Sequence, residues 1–153
     1  MCSSACSEYI LPTRKSVEVT KDTLIGFHGN SLLREKLLLE RGVDIPEHCG
    51  WSGRDWLNYI YSNKGISRNF LNEQADRLRV LDFEYFYSSG GCLNTKVTYE
   101  HLFWFPTAEQ IKEYLNVEIV GQLCADNPSC VNKVSKRNIR GGTCVFGDRI
   151  RNC

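Results

Sequence analysis

The sequence predicts a single α+β domain in which helices near the start lie against a β-sheet drawn mostly from the later residues. Three observations carry this. The 153 residues are 42% hydrophobic and 24% charged, a balance that suits one packed core and excludes a disordered or collagen-like chain. Leucines recur at helical spacing after residue 30, whereas 83–87, 96–105 and 116–123 are rich in aromatic and β-branched residues with partial alternation, as strands are. Helices followed by a run of strands is the pattern of helices covering part of an antiparallel sheet.

In chain order, MCSSACS is small and polar and opens a flexible N-terminal segment over 1–20, ahead of one domain over 21–153. Thr23 to Gly29 reads as a short strand ending at glycine. Asn30 or Ser31 caps a helix written by Leu32, Leu33, Lys36, Leu37 and Leu39, which Gly42 stops with Arg41 at its carboxyl end. Gly53 to Tyr61 holds a turn and a short strand, and Ser67 to Ala75 is helical. The strands FEYFY, KVTYEHLFWF and NVEIVGQL follow, and Gly141-Gly142 is a turn.

Net charge is +1, with no general call for nucleic acid or an acidic membrane, yet 131–153 carries six basic residues and one acidic. This basic C-terminal segment reads as a solvated terminus. No run approaches the roughly 20 apolar residues needed to cross a bilayer, and no signal-peptide core is visible. The expected location is cytoplasmic; eight cysteines keep a secreted origin open without selecting a pairing. Cys124, Cys130, Cys144 and Cys153 lack the spacing of short zinc knuckles, so no metal is expected. His48-Cys49 has no second motif to make it a nucleophile, and no phosphate-loop pattern is present.

Three segments, taken together, resemble the ADP-ribosyltransferases of the poly(ADP-ribose) polymerase and diphtheria-toxin type, which use a His-Tyr-Glu set. LIGFHGNSLLREKLLLERGVD resembles their opening NAD-binding region, with His28-Gly29 as the His-Gly pair. NYIYSNKGISRNFL resembles the tyrosine strand and the helix after it, with Tyr61 in the place of the nicotinamide-stacking tyrosine, Ser67 or Asn69 near the amide, and Phe70 as an opposing aromatic wall. YEHLFWFPTAEQIKEYLNVEIV resembles the catalytic-glutamate strand and the Gln-x-x-x-Tyr-Leu pattern of Gln110, Tyr114 and Leu115. An ungapped match puts Leu102 at the glutamate position, whereas a turn two residues longer puts Glu100 there, on the strand face shared with Leu102 and Trp104. Glu109 reads as a turn or helix cap.

The resemblance implies a split antiparallel β-sheet flanked by helices and NAD as co-substrate. His28 would hold an NAD ribose hydroxyl, Gly29 the carboxamide through its backbone, Tyr61 the ring, and Glu100 the ribose 2′-hydroxyl as positive charge builds in the transition state. The implied activity is mono-ADP-ribosyl transfer to a macromolecule, protein in preference to nucleic acid, with release of nicotinamide. The alternative is an inactive relative or interaction module that keeps the cleft and uses exposed aromatics such as Trp51, Trp56 and the FEYFY segment.

Overall fold

The computed structural model describes residues 2–3, 11–29, 31–43, 69–137 and 141–153. Leucine spacing builds the first helix, α1 (Ser31–Glu40), in which Leu33 and Leu37 are one turn apart and both are buried, with Leu38 beside them. The chain leaves α1 through Gly42 at φ 70°. The Gly42 N–H donates to the Leu39 carbonyl and the Val43 N–H to the Leu38 carbonyl, both at 3.0 Å, a paired closure that needs the left-handed turn glycine supplies. Among the described residues the next helix is α2 (Phe70–Leu78), which buries the stripe Phe70, Leu71, Gln74 and Leu78; Ser67, where the helix was expected to begin, lies outside them.

The third helix, α3 (Ala108–Leu115), opens on a reciprocal cap: Thr107 Oγ1 accepts from the Gln110 N–H, and Gln110 Oε1 accepts from the Thr107 N–H. Glu109 lies in its first turn. A fourth helix, α4 (Pro128–Arg137), was not expected. Pro128 stands at its first position, and Asn127 Oδ1 accepts from the Ser129 N–H at 3.1 Å.

Among the described residues the strands form four small sheets. β1 (Cys2–Ser3) runs parallel to β3 (Ile25–Gly26), and β2 (Ser16–Glu18) runs parallel to β7 (Glu118–Val120). β4 (Val80–Tyr87) and β5 (Leu93–Tyr99) are an antiparallel hairpin. β6 (His101–Phe105) lies parallel to β8 (Thr143–Phe146), which in turn pairs antiparallel with β9 (Arg149–Asn152). The arrangement is mixed, with parallel as well as antiparallel pairs, and is not the antiparallel sheet that the resemblance implies. Its parallel pairs join segments far apart in sequence, such as 16–18 with 118–120, for which no local turn signal exists.

Four further expectations are corrected. KVTYEHLFWF is not one strand, because the chain bends at Glu100: β5 stays with β4, and β6 joins β8. A register shift between His101 and Phe103 also breaks the alternation that put Glu100, Leu102 and Trp104 on one face; Trp104 is 1% exposed and Leu102 38%. Nor are residues 11–20 loose, since Leu11 is buried in the core and Ser16–Glu18 is a paired strand. The basic segment 131–153 is likewise more than a solvated terminus. It contributes most of α4 and the middle strand β8, with Cys144, Val145 and Phe146 buried.

Two hydrophobic clusters meet along β6. Trp104 packs with Phe27, Leu33, Phe70 and Ile111 in one, and its neighbour Phe105 packs with Cys124, Val131 and Phe146 in the other. Consecutive residues point to opposite faces of a strand, so β6 is the wall between the two. The second cluster is stapled by Cys124–Cys130, which ties the 3-10 turn Cys124–Asp126 to α4, and by Cys144–Cys153, which closes the β8–β9 hairpin. Cys92 is also disulfide-bonded. Among the described residues no helix is long and apolar enough to cross a membrane.

Candidate functional site

The His28-Gly29 pair is held from both sides. Phe27 and Trp104 exchange two backbone hydrogen bonds at 2.8 Å, anchoring the chain to β6 one residue before His28. The His28 ring stands edge-on to Phe103, with centroids 5.5 Å apart, and Nδ1 lies 2.8 Å from the Gly29 carbonyl oxygen. A carbonyl only accepts, so Nδ1 carries the proton, and in the neutral ring Nε2 is left as the acceptor.

From α2, Gln74 reaches the same turn. Its side chain is 0% exposed, and Nε2 donates to the His28 carbonyl oxygen at 2.7 Å. In a trans peptide the carbonyl of one residue and the N–H of the next point in opposite directions, so holding the His28 oxygen also aims the Gly29 N–H. Gln74 Oε1 is buried with no hydrogen-bond partner among the described residues. The sequence reading missed Gln74, although a glutamine on the apolar stripe of a helix is a signal that it has a partner inside.

Gly29 is a glycine because Tyr99 lies where its side chain would be. A Cβ there would sit 2.1 Å from Tyr99 Cε2 and 2.4 Å from the phenol oxygen. This close approach joins the His28-Gly29 turn to the bend at Glu100, the residue after Tyr99. Glu100 is fixed by its backbone: its N–H donates to the Arg79 carbonyl at 2.9 Å, and its own carbonyl accepts from Thr143 Oγ1 at 3.3 Å. Since the single Thr143 hydroxyl proton goes to Glu100, the hydroxyl oxygen accepts from His101 Nδ1 at 2.8 Å. His101 is 5% exposed, so this relay is an interior brace for the bend. The Glu100 carboxylate meets Arg79 Nη1 at 2.9 Å through Oε2.

The other sequence candidates fall elsewhere. Leu102 lies against Gly142, where an added Cβ would be 2.7 Å from Leu102 Cδ1. Phe70 is 5% exposed and packs edge-on to Phe27 with centroids 5.1 Å apart, inside the core. Tyr61 and Ser67 lie outside the described residues, as do Trp51, Trp56 and His48-Cys49; Asn69 precedes α2 and is exposed. Gln110 is engaged by its cap and by Asp148, to which Nε2 donates at 3.2 Å. Tyr114 stands edge-on to Trp104, and burial, followed by the nearby Glu73 carboxylate, raises its hydroxyl above the ordinary tyrosine value. At the hairpin tip Tyr85, Phe86 and Tyr87 are exposed.

A groove of about 600 Å³ runs between α1 and α2, lined by Lys36, Glu40, Asn72, Asp76 and Arg79 among others. It touches the candidate site through Arg79. Among the described residues no cluster of three or more His, Cys, Asp or Glu is arranged to hold a metal, and Cys124, Cys130, Cys144 and Cys153 are committed to disulfides. No family model, curated protein or solved structure matches the chain.

Proposed function

We propose that the chain is an NAD-dependent mono-ADP-ribosyltransferase with an ADP-ribosyltransferase-like fold, and that the turn at His28-Gly29 and the bend at Glu100 form its centre. The observation that carries the reading is the seating of Tyr99 on Gly29, which supports bringing the two segments of the family resemblance together although they are far apart in sequence. His28 offers a ring nitrogen to a ribose hydroxyl. The Gly29 N–H, aimed by Gln74, suits the nicotinamide carboxamide, and the carbonyl keeps a second lone pair beside its contact with His28. Tyr61 is the assigned ring-stacking residue and Ser67 the assigned amide ligand. Phe70 supports the site from within the core.

In the reaction the bond between nicotinamide and ribose C1′ breaks, and nicotinamide leaves with the electron pair. An acceptor heteroatom on a protein then bonds to C1′ and loses its proton. Glu100 accepts from the 2′-hydroxyl and offsets the positive charge that builds on the sugar. The disulfides support folding in an oxidising compartment, the alternative that the cysteine count had left open.

A second reading, an inactive relative that binds through its surface, is favoured by the exposed tip of Tyr85, Phe86 and Tyr87. Nicotinamide release separates the two. The oxidised chain incubated with NAD and a protein mixture is expected to release nicotinamide above the spontaneous rate, and a folded His28→Ala variant to release less. NAD binding without release supports the inactive reading.

A further inference from the structure

The junction between α2 and β4 is built around one residue in an unusual conformation. Arg79 has φ 51° and ψ 92°, a region that residues with a Cβ seldom occupy and that glycine enters freely. Its backbone is fully engaged, with the N–H donating to the Ala75 carbonyl at 2.8 Å and the carbonyl accepting from the Glu100 N–H at 2.9 Å. Its side chain then turns to the same residue, Nη1 meeting Glu100 Oε2 at 2.9 Å. One residue therefore grips Glu100 by both backbone and carboxylate.

Stability does not account for an arginine here. The two side chains are 67% and 38% exposed, and an ion pair so open to water contributes little. Glycine adopts positive φ at less cost than a residue with a Cβ and would keep both main-chain bonds. What a long cationic side chain adds is a bias in direction: it favours one orientation of the flexible glutamate on the bend before substrate arrives. A carboxylate gripped at one oxygen can still accept a hydroxyl proton donor at the other.

We propose that Arg79 is a positioning residue that aims the Glu100 carboxylate at the ribose during ADP-ribose transfer, an inference that rests on the transferase reading above. The strain at Arg79 fits this role, since conformations of this kind persist where the surroundings over-determine them. Arg79 also lines the groove between α1 and α2.

The test uses the full oxidised chain and follows nicotinamide release and label transfer from NAD in wild type, Arg79→Gly and Arg79→Lys. Arg79→Gly is expected to melt no lower than wild type, because it relieves the backbone, yet to lose about 10- to 100-fold in kcat with the KM for NAD little changed. Arg79→Lys keeps a cation and is expected to recover part of the loss. Wild-type kcat in Arg79→Gly overturns the proposal, as does a loss that appears only in KM or only together with a lower melting temperature. A lysine variant no better than glycine also counts against the ion pair as the device. If wild type itself neither releases nicotinamide nor transfers label, the transferase reading falls and takes this inference with it, a result distinct from active wild type with indifferent variants.

Discussion

Gln74 gives the most informative perturbation of the site, because stability and activity should respond differently to its loss. In Gln74→Leu the His28 carbonyl loses its buried donor, which costs about 1–3 kcal/mol. The same change removes Oε1, a buried oxygen with no hydrogen-bond partner among the described residues, and relieves a penalty of similar size, about 1–3 kcal/mol. Leucine nearly conserves the volume, so no large cavity adds to the balance. The two terms oppose each other, and the net change in stability is expected to lie within about 2 kcal/mol, or a melting shift of at most about 8 °C for a chain of this size. The His28-Gly29 peptide would then be free to turn, and nicotinamide release should fall about tenfold or more, as misplacement of a binding group does.

Gln74→Glu supplies a second readout. A carboxyl buried at this place and facing a carbonyl oxygen is held in its neutral form, so the folded state binds its proton more tightly than the unfolded chain does. Stability is then complete below the unfolded value of about 4.3 and falls as pH rises toward the folded value, by about 4 kcal/mol for an upward shift of about three units. Near-UV circular-dichroism melts between pH 4 and pH 8, on wild type and both variants, measure this. Gln74→Leu with full nicotinamide release, or Gln74→Glu as stable at pH 8 as at pH 4, would refute the claim that Gln74 holds the His28 carbonyl from inside the core.

Two other predictions follow from contacts around the site and the second core. Gly29→Ala is expected to destabilise the fold by about 1–3 kcal/mol, because its Cβ would overlap the Tyr99 ring; combining it with Tyr99→Leu should recover part of that loss, and strictly additive melting shifts would contradict the contact. Replacing both Cys144 and Cys153 by serine opens the loop closed by that disulfide, whose sequence separation is 9. The expected loss is about 2.7 kcal/mol by chain entropy, seen as a lower denaturant midpoint, and an unchanged midpoint would contradict a structural role for the bridge.

What the sequence made legible follows the range of the interaction responsible. α1 is readable because its leucines and Gly42 act within a few residues of one another, whereas the strand expected from Thr23 to Gly29 forms only at Ile25–Gly26, with isolated bridges at Thr23 and Phe27. The bend at Glu100 was not readable. KVTYEHLFWF has unbroken strand propensity, and what divides it is contributed by Arg79 and Thr143, residues distant in sequence. α4 carries a local signal in Asn127-Pro128-Ser129; the cluster of basic residues suggests a solvated tail, whereas the buried Val131, Cys144 and Phe146 of the same segment decide its place. Of the site, His28, Gly29 and Glu100 were singled out from family-like order and spacing. Gln74, Tyr99, His101 and Arg79 were not, because each acts through a contact made only in three dimensions.

Transfer of labelled ADP-ribose from NAD into a broad protein mixture, comparing wild type with Glu100→Gln at matched folding, tests the transferase and its glutamate together. Glutamine keeps the size of the side chain and loses the charge; removal of one well-placed charge-stabilising group typically costs about 2.7–4 kcal/mol of transition-state stabilisation, a 10²- to 10³-fold loss of rate. The account predicts label in the wild-type lane and a loss of that order in the variant. Label retained in Glu100→Gln would contradict the assignment of Glu100, and no transfer by folded wild type that binds NAD would contradict the enzyme itself.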